Sequence, residues 1–206
     1  MKIYGDGLSG NCYKLHLLLS LLQKNYQWID VDILKGETQT GAFLKKSANG
    51  KVPLLELENG ECLTESNAIL NFLAQGSALW PDEPWHQAKV LQWQFFEQYS
   101  HEPYIAVARF IKRYLGLPDE RRTEYDAKQP GGHKALSIME QQLQQTSFLT
   151  GEQFTVADIS LYAYTHVAEE GGFELSSYSA INRWLKRIEA MPQYQPMNNS
   201  HCKESR

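Results

Sequence analysis

The 206-residue chain is 42% hydrophobic and 21% charged, an ordinary globular composition that excludes a disordered or fibrous protein. Its net charge of −4, with no cluster of Lys and Arg, argues against nucleic acid as a partner. No apolar run is long enough to span a bilayer and no basic-then-apolar leader opens the chain, so neither a membrane nor an export route is expected. Cys12, Cys62 and Cys202 are too widely spaced for a disulfide framework or a metal cluster. The six histidines include no pair at metal-ligand spacing beside an acid. A reducing, cytoplasmic setting without a metal is the expectation.

Residues 1–5 read as a strand, 6–10 as a glycine-containing loop, and 11–24 as an apolar helix with Leu15, Leu18, Leu19 and Leu22 at helical spacing. Residues 26–34, rich in β-branched and aromatic side chains, predict a second strand. A turn at Gly36 leads to a short helix over 40–46. Residues 54–57 and 61–63 then form a hairpin around Glu58-Asn59-Gly60, where Asn-Gly favours the positive φ of a tight turn. Pro53 heads the first hairpin strand, and its bond to Val52 is a candidate cis peptide. A helix follows with Ile69, Leu70 and Leu73 on one face. The order βαβ, α, ββα predicts a four-stranded mixed sheet, parallel in the βαβ unit and antiparallel in the hairpin. Residues 1–75 form the first domain and 76–84 a linker.

Strand signals almost vanish over 85–206, which predicts an all-α second domain with helices over 85–115, 119–145, 155–170 and 178–190. Pro130-Gly131-Gly132 is expected to interrupt the second of these or delay its regular part. Thr155 is placed to N-cap the third, with Asp158 closing an acidic capping box and Phe154 and Ile159 as its hydrophobic staple. The tail from Gln193 reads as loosely ordered.

Two loops carry chemistry. Glu65 and Ser66 precede an apolar helix, whose free N–H groups and dipole attract carboxylates. Ser9, Asn11 and Cys12 stand where the first helix begins, a position that favours a thiolate. Simple helix capping by Ser9 or Asn11, and burial of Cys12 as a small hydrophobe, are the structural alternatives.

Val52-Pro53, the hairpin and Glu65-Ser66-Asn67-Ala68-Ile69 together resemble the glutathione-site signature of the cytosolic glutathione transferase superfamily. The likeness runs over nearly the whole chain, since the Thr-x-Ala-Asp pattern at Thr155 to Asp158 is similar to a folding element of that family's second domain. The resemblance implies a thioredoxin-like first domain and an all-helical second one, and glutathione as co-substrate. The implied reaction is conjugation to a small hydrophobic electrophile, by a homodimer. Ser9 resembles the catalytic serine of the serine-type enzymes, whose hydroxyl donates to the glutathione sulfur. The loop also reads as Ser-x-x-Cys, a thioredoxin-like motif lacking its first cysteine, and beta-type bacterial members keep a cysteine near the Cys12 position. Asn11 is a third candidate for the sulfur contact, while Tyr4 is read as filling strand space.

The same resemblance implies that Val52 pairs with the cysteinyl backbone of glutathione and that Pro53 holds that edge. Glu65 and Ser66 take the γ-glutamyl ammonium and carboxylate, Lys51 a carboxylate, and Lys35 or Gln39 the glycyl end. For the lysines, a solvated surface charge is the alternative. Tyr104, Arg109 and Tyr114 are the candidates for the second-substrate pocket, drawn from a set that includes Tyr99, Ala108, Phe110 and Tyr164. Two other functions remain open on the same fold. One is a glutathione-dependent disulfide or peroxide reductase. The other is a non-catalytic glutathione-binding or interaction protein.

Overall fold

The computed structural model of the chain describes residues 1–197, so Cys202 lies outside the described residues. Its described residues divide into two compact units, Met1–Ser77 joined by Pro192–Met197, and Ala78–Met191.

The first unit contains β1 (Lys2–Gly5), α1 (Gly10–Leu21), β2 (Gln27–Asp30), α2 (Gly41–Leu44), β3 (Leu54–Glu56), β4 (Cys62–Leu63) and α3 (Ser66–Ala74). The strands lie in the order β2-β1-β3-β4. β1 and β2 are joined through α1 and run parallel, whereas β3 pairs antiparallel with both β1 and β4. This is the thioredoxin-like mixed sheet. Side chains alternate across it. Tyr4 and Leu54 share a small cluster with Val31, Phe43 and Val52 on one face. Ile3 and Leu55, one residue along each strand, are fully buried and point to the opposite face. α1 is buried on most sides, with Leu15, Leu17, Leu18 and Leu19 fully enclosed, and it packs against α3.

The hairpin turn differs in detail from the expected one. Only Gly60 takes a positive φ, at 87°, and its N–H donates to the Leu57 carbonyl at 3.0 Å. The Leu57 N–H donates to the Glu61 carbonyl at 2.8 Å, so the connection is a type I turn closed by a glycine bulge. The Asn59 side chain accepts from the Glu61 N–H at 3.1 Å, which favours that geometry over positive φ at both residues. The Val52–Pro53 bond is cis. The tail is not loose as far as it is described. Ser20 Oγ donates to the Gln193 carbonyl at 2.6 Å, and the Tyr13 hydroxyl donates to the Gln195 carbonyl at 2.7 Å.

The second unit is all helical: α4 (Pro84–Phe96), α5 (Glu102–Arg109), α6 (Arg122–Leu143), α7 (Val156–Thr165) and α8 (Ser179–Glu189). The helix expected over 85–115 is continuous but widened by π-turns at Glu97–His101 and Phe110–Tyr114. The first lies just before Pro103, whose missing N–H cannot join a regular ladder. α6 corrects the expectation of a break at Pro130, because it runs straight through that residue. The two glycines serve close packing instead. A Cβ on Gly131 would overlap the Tyr104 ring, and one on Gly132 would overlap the Phe173 ring. Every residue of α7 is buried. Its capping box is formed as expected, with the Thr155 side chain accepting from Ala157 N and the Asp158 carboxylate accepting from Thr155 N at 3.0 Å.

Candidate functional site

The candidate site residues Ser9, Asn11, Cys12, Glu65 and Ser66 stand at two helix N-termini of the first unit. At α1, Ser9 has extended backbone and its Oγ accepts from the Cys12 N–H at 3.4 Å, so it caps the helix. An oxygen that accepts in this way still has its own hydrogen to donate, so capping and sulfur binding are compatible roles. Cys12 is fully buried, and its sulfur accepts from the Asp6 N–H at 3.4 Å. Burial pushes the thiol up to about 12, against the smaller opposing effects of the Ser9 and Asp6 hydrogen bonds. A protonated, enclosed thiol is a poor nucleophile.

At α3, Glu65 is exposed and holds φ of 67°, a strained conformation for a residue with a Cβ. Ser66, next to it, is buried, and its hydroxyl donates to Asn11 Oδ1 at 3.2 Å. Lys14 reaches the same hydroxyl from α1, with its Nζ donating to Ser66 Oγ at 3.2 Å and to Asn67 Oδ1 at 3.5 Å. The structure therefore brings Asn11 and Ser66 together and ties the first turn of α1 to the first turn of α3. Lys14 was not singled out from sequence. Its one visible signal is a lysine set between Tyr13 and Leu15 in a helix otherwise packed with apolar residues.

The remaining candidates of this unit are placed as follows. Val52 is half-buried in the cluster with Phe43 and Leu54, and Pro53 is buried. Gln39 donates through Nε2 to the Gly50 carbonyl at 3.2 Å, which sets it beside the segment leading to Lys51 and Val52. Lys51 is exposed, and its carbonyl accepts from Ser47 Oγ at 3.3 Å. Lys35 is exposed and lies 3.0 Å from Asp32. Tyr4 accepts from Lys46 at 3.0 Å and donates to Glu56 at 2.5 Å, so its hydroxyl ties β1 to β3 and to the end of α2.

In the helical unit, Arg109 is 1% exposed and its Nε lies 2.7 Å from a Glu170 carboxylate oxygen. Its charge is thus neutralised inside that unit. Tyr104 is half-buried against Gly131, with Lys128 above its ring at 5.8 Å. Tyr114 packs on Phe110 with ring centroids 5.0 Å apart. Among the described residues, no group of three or more His, Cys, Asp and Glu is arranged to hold a metal, and no helix is long and apolar enough to cross a membrane.

Two family models match: Glutathione S-transferase, N-terminal domain, over residues 1–75, and Glutathione S-transferase, C-terminal domain, over residues 89–192. The crystal structure of a glutathione S-transferase from Pseudomonas fluorescens (Pf-5) is 62% identical, with a TM-score of 0.94 over 95% of this chain and 98% of that one. Elongation factor 1-gamma of Drosophila melanogaster is 36% identical over 160 residues, covering 74% of this chain. The chain spans only 36% of that factor's length. Disulfide-bond oxidoreductase YfcG of Escherichia coli is 26% identical over 189 residues, covering 88% of this chain and 87% of that protein.

Proposed function

The chain belongs to the glutathione S-transferase family, and from that premise we propose that it is an enzyme conjugating reduced glutathione to a small hydrophobic electrophile. The observation that carries this reading is the Ser9 hydroxyl, which accepts from the Cys12 N–H at the start of α1 and keeps its hydrogen for a sulfur anion. Catalysis is then stabilisation of the thiolate by that donor and by the helix terminus, together with positioning of the electrophile. Asn11 assists at the same turn. Glutathione lies as an added strand against the Val52 backbone, on the edge held by Pro53. Its γ-glutamyl end is taken by Glu65 and Ser66, with Lys51, Gln39 and Lys35 toward the glycyl end. Tyr104 and Tyr114 are the proposed electrophile contacts. Arg109, held by Glu170, supports its own helical unit and reaches a substrate only if that ion pair opens.

A disulfide-reductase reading is favoured by the oxidoreductase relative, and the buried Cys12 thiol weighs against any version that uses Cys12. The test is the rate of conjugation to 1-chloro-2,4-dinitrobenzene in wild type and Cys12→Ser. The variant is expected to keep close to the wild-type rate. Loss of activity in a folded Cys12→Ser protein places the chemistry on the cysteine instead.

A cytoplasmic homodimer is the proposed working form. Trp85, Leu91, Phe95 and Tyr99 leave an exposed apolar stripe along α4 and the turn after it, and Phe72 of α3 is also exposed. Sedimentation at micromolar protein is expected to give twice the chain mass; a monomer rejects this part of the reading.

A further inference from the structure

Lys14 is 0% exposed in a helix whose neighbours Leu15, Leu17 and Leu18 are equally enclosed. Burying an ammonium costs several kcal/mol unless hydrogen bonds and negative charge answer it. A methionine or leucine would fill the same space without that cost, so packing alone does not account for a lysine here. Its Nζ reaches the first turn of α3, where it donates to Ser66 Oγ at 3.2 Å and Asn67 Oδ1 at 3.5 Å. Ser66 in turn donates to Asn11 Oδ1 at 3.2 Å. The hydroxyl therefore accepts from a cation and passes its own hydrogen onward, an arrangement in which each bond polarises the next.

We infer that Lys14 is a positioning residue for the γ-glutamyl α-carboxylate of glutathione: it holds Ser66 Oγ as an acceptor and strengthens the hydrogen that Ser66 turns from Asn11 to the bound carboxylate. The inference rests on the glutathione reading above. When a carboxylate occupies the α3 N-terminus, the Ser66 hydrogen rotates onto it, while Lys14 stays on the serine oxygen and adds a positive charge one atom behind. The helix N–H groups alone attract any anion. Lys14 and Ser66 in series make the subsite demand a carboxylate at that point of the ligand.

The test uses two tripeptides, glutathione and γ-aminobutyryl-cysteinyl-glycine, which is glutathione without its α-carboxylate. Both are titrated calorimetrically into wild type, Lys14→Met and Lys14→Arg. Wild type is expected to prefer glutathione, and Lys14→Met to lose about tenfold or more of that preference by weakening glutathione alone. Lys14→Arg, which keeps the charge, is expected to retain most of it. A residue that only packs would change stability and leave the ratio of the two affinities untouched. An unchanged ratio in Lys14→Met overturns the inference while leaving the glutathione reading intact. If wild type binds neither tripeptide, the glutathione reading itself fails and takes this inference with it. Lys14→Gln, neutral but able to donate, is read in the same way if the methionine variant does not fold.

Discussion

Asp158→Ala is expected to destabilise the helical unit by about 4 kcal/mol, because several buried donors lose their acceptor at once. The carboxylate accepts from Leu149 N at 2.9 Å, Thr155 N at 3.0 Å, Trp184 Nε1 at 3.0 Å and Thr155 Oγ1 at 3.3 Å. An N-cap box viewed alone is worth about 1 kcal/mol. Here the same side chain also fixes the loop before α7 and the fully buried Trp184 of α8. Burial pushes the Asp158 carboxyl up to about 6, while all four donors favour its ionised form. Because the folded state holds this proton more tightly than the unfolded chain, the stability it contributes is greatest below the unfolded value of 3.8. That contribution falls as pH rises through about 6. Urea unfolding at pH 7, followed by tryptophan fluorescence and circular dichroism, measures the loss in the variant. A loss of less than about 1.5 kcal/mol would mean that the network is a simple cap.

Ser66→Ala is expected to weaken glutathione binding by about 1.5–3 kcal/mol, the range for a hydrogen bond to a charged group. The geometry argues for the upper part of that range. Removing Oγ also takes away the atom on which the Lys14 ammonium bears and the donor to Asn11. Titration calorimetry of glutathione against the wild type and the variant reads it directly. Equal affinities would remove Ser66 from the site.

What could be read ahead of the structure was local. The hairpin, the helix starts at Ser9 and Ser66 and the Thr155 capping box depend on residues within a few positions of each other, so their residue types carried the signal. What escaped depends on partners far along the chain. Nothing near Lys14 announces that Ser66, 52 residues away, will receive its ammonium. Asp158 reads as a cap because its bond to Trp184 spans 26 residues. Pro130-Gly131-Gly132 reads as a helix breaker because local propensity is all that the letters express. In the fold, Tyr104 and Phe173 occupy the space the two glycines leave, and packing overrides propensity. Cys12 shows the same limit. Its position at a helix start suggests a reactive thiolate, and only its complete burial shows why the thiol stays protonated.

That Ser9 turns bound glutathione into a thiolate is the core of the proposed mechanism. It is tested most directly by the ultraviolet thiolate absorbance of bound glutathione as a function of pH, in wild type and Ser9→Ala side by side. Wild type is expected to form thiolate well below the pH at which free glutathione does, and Ser9→Ala to shift the titration back toward the free thiol. Identical titrations in the two proteins, or bound glutathione that remains a thiol in both, would contradict it.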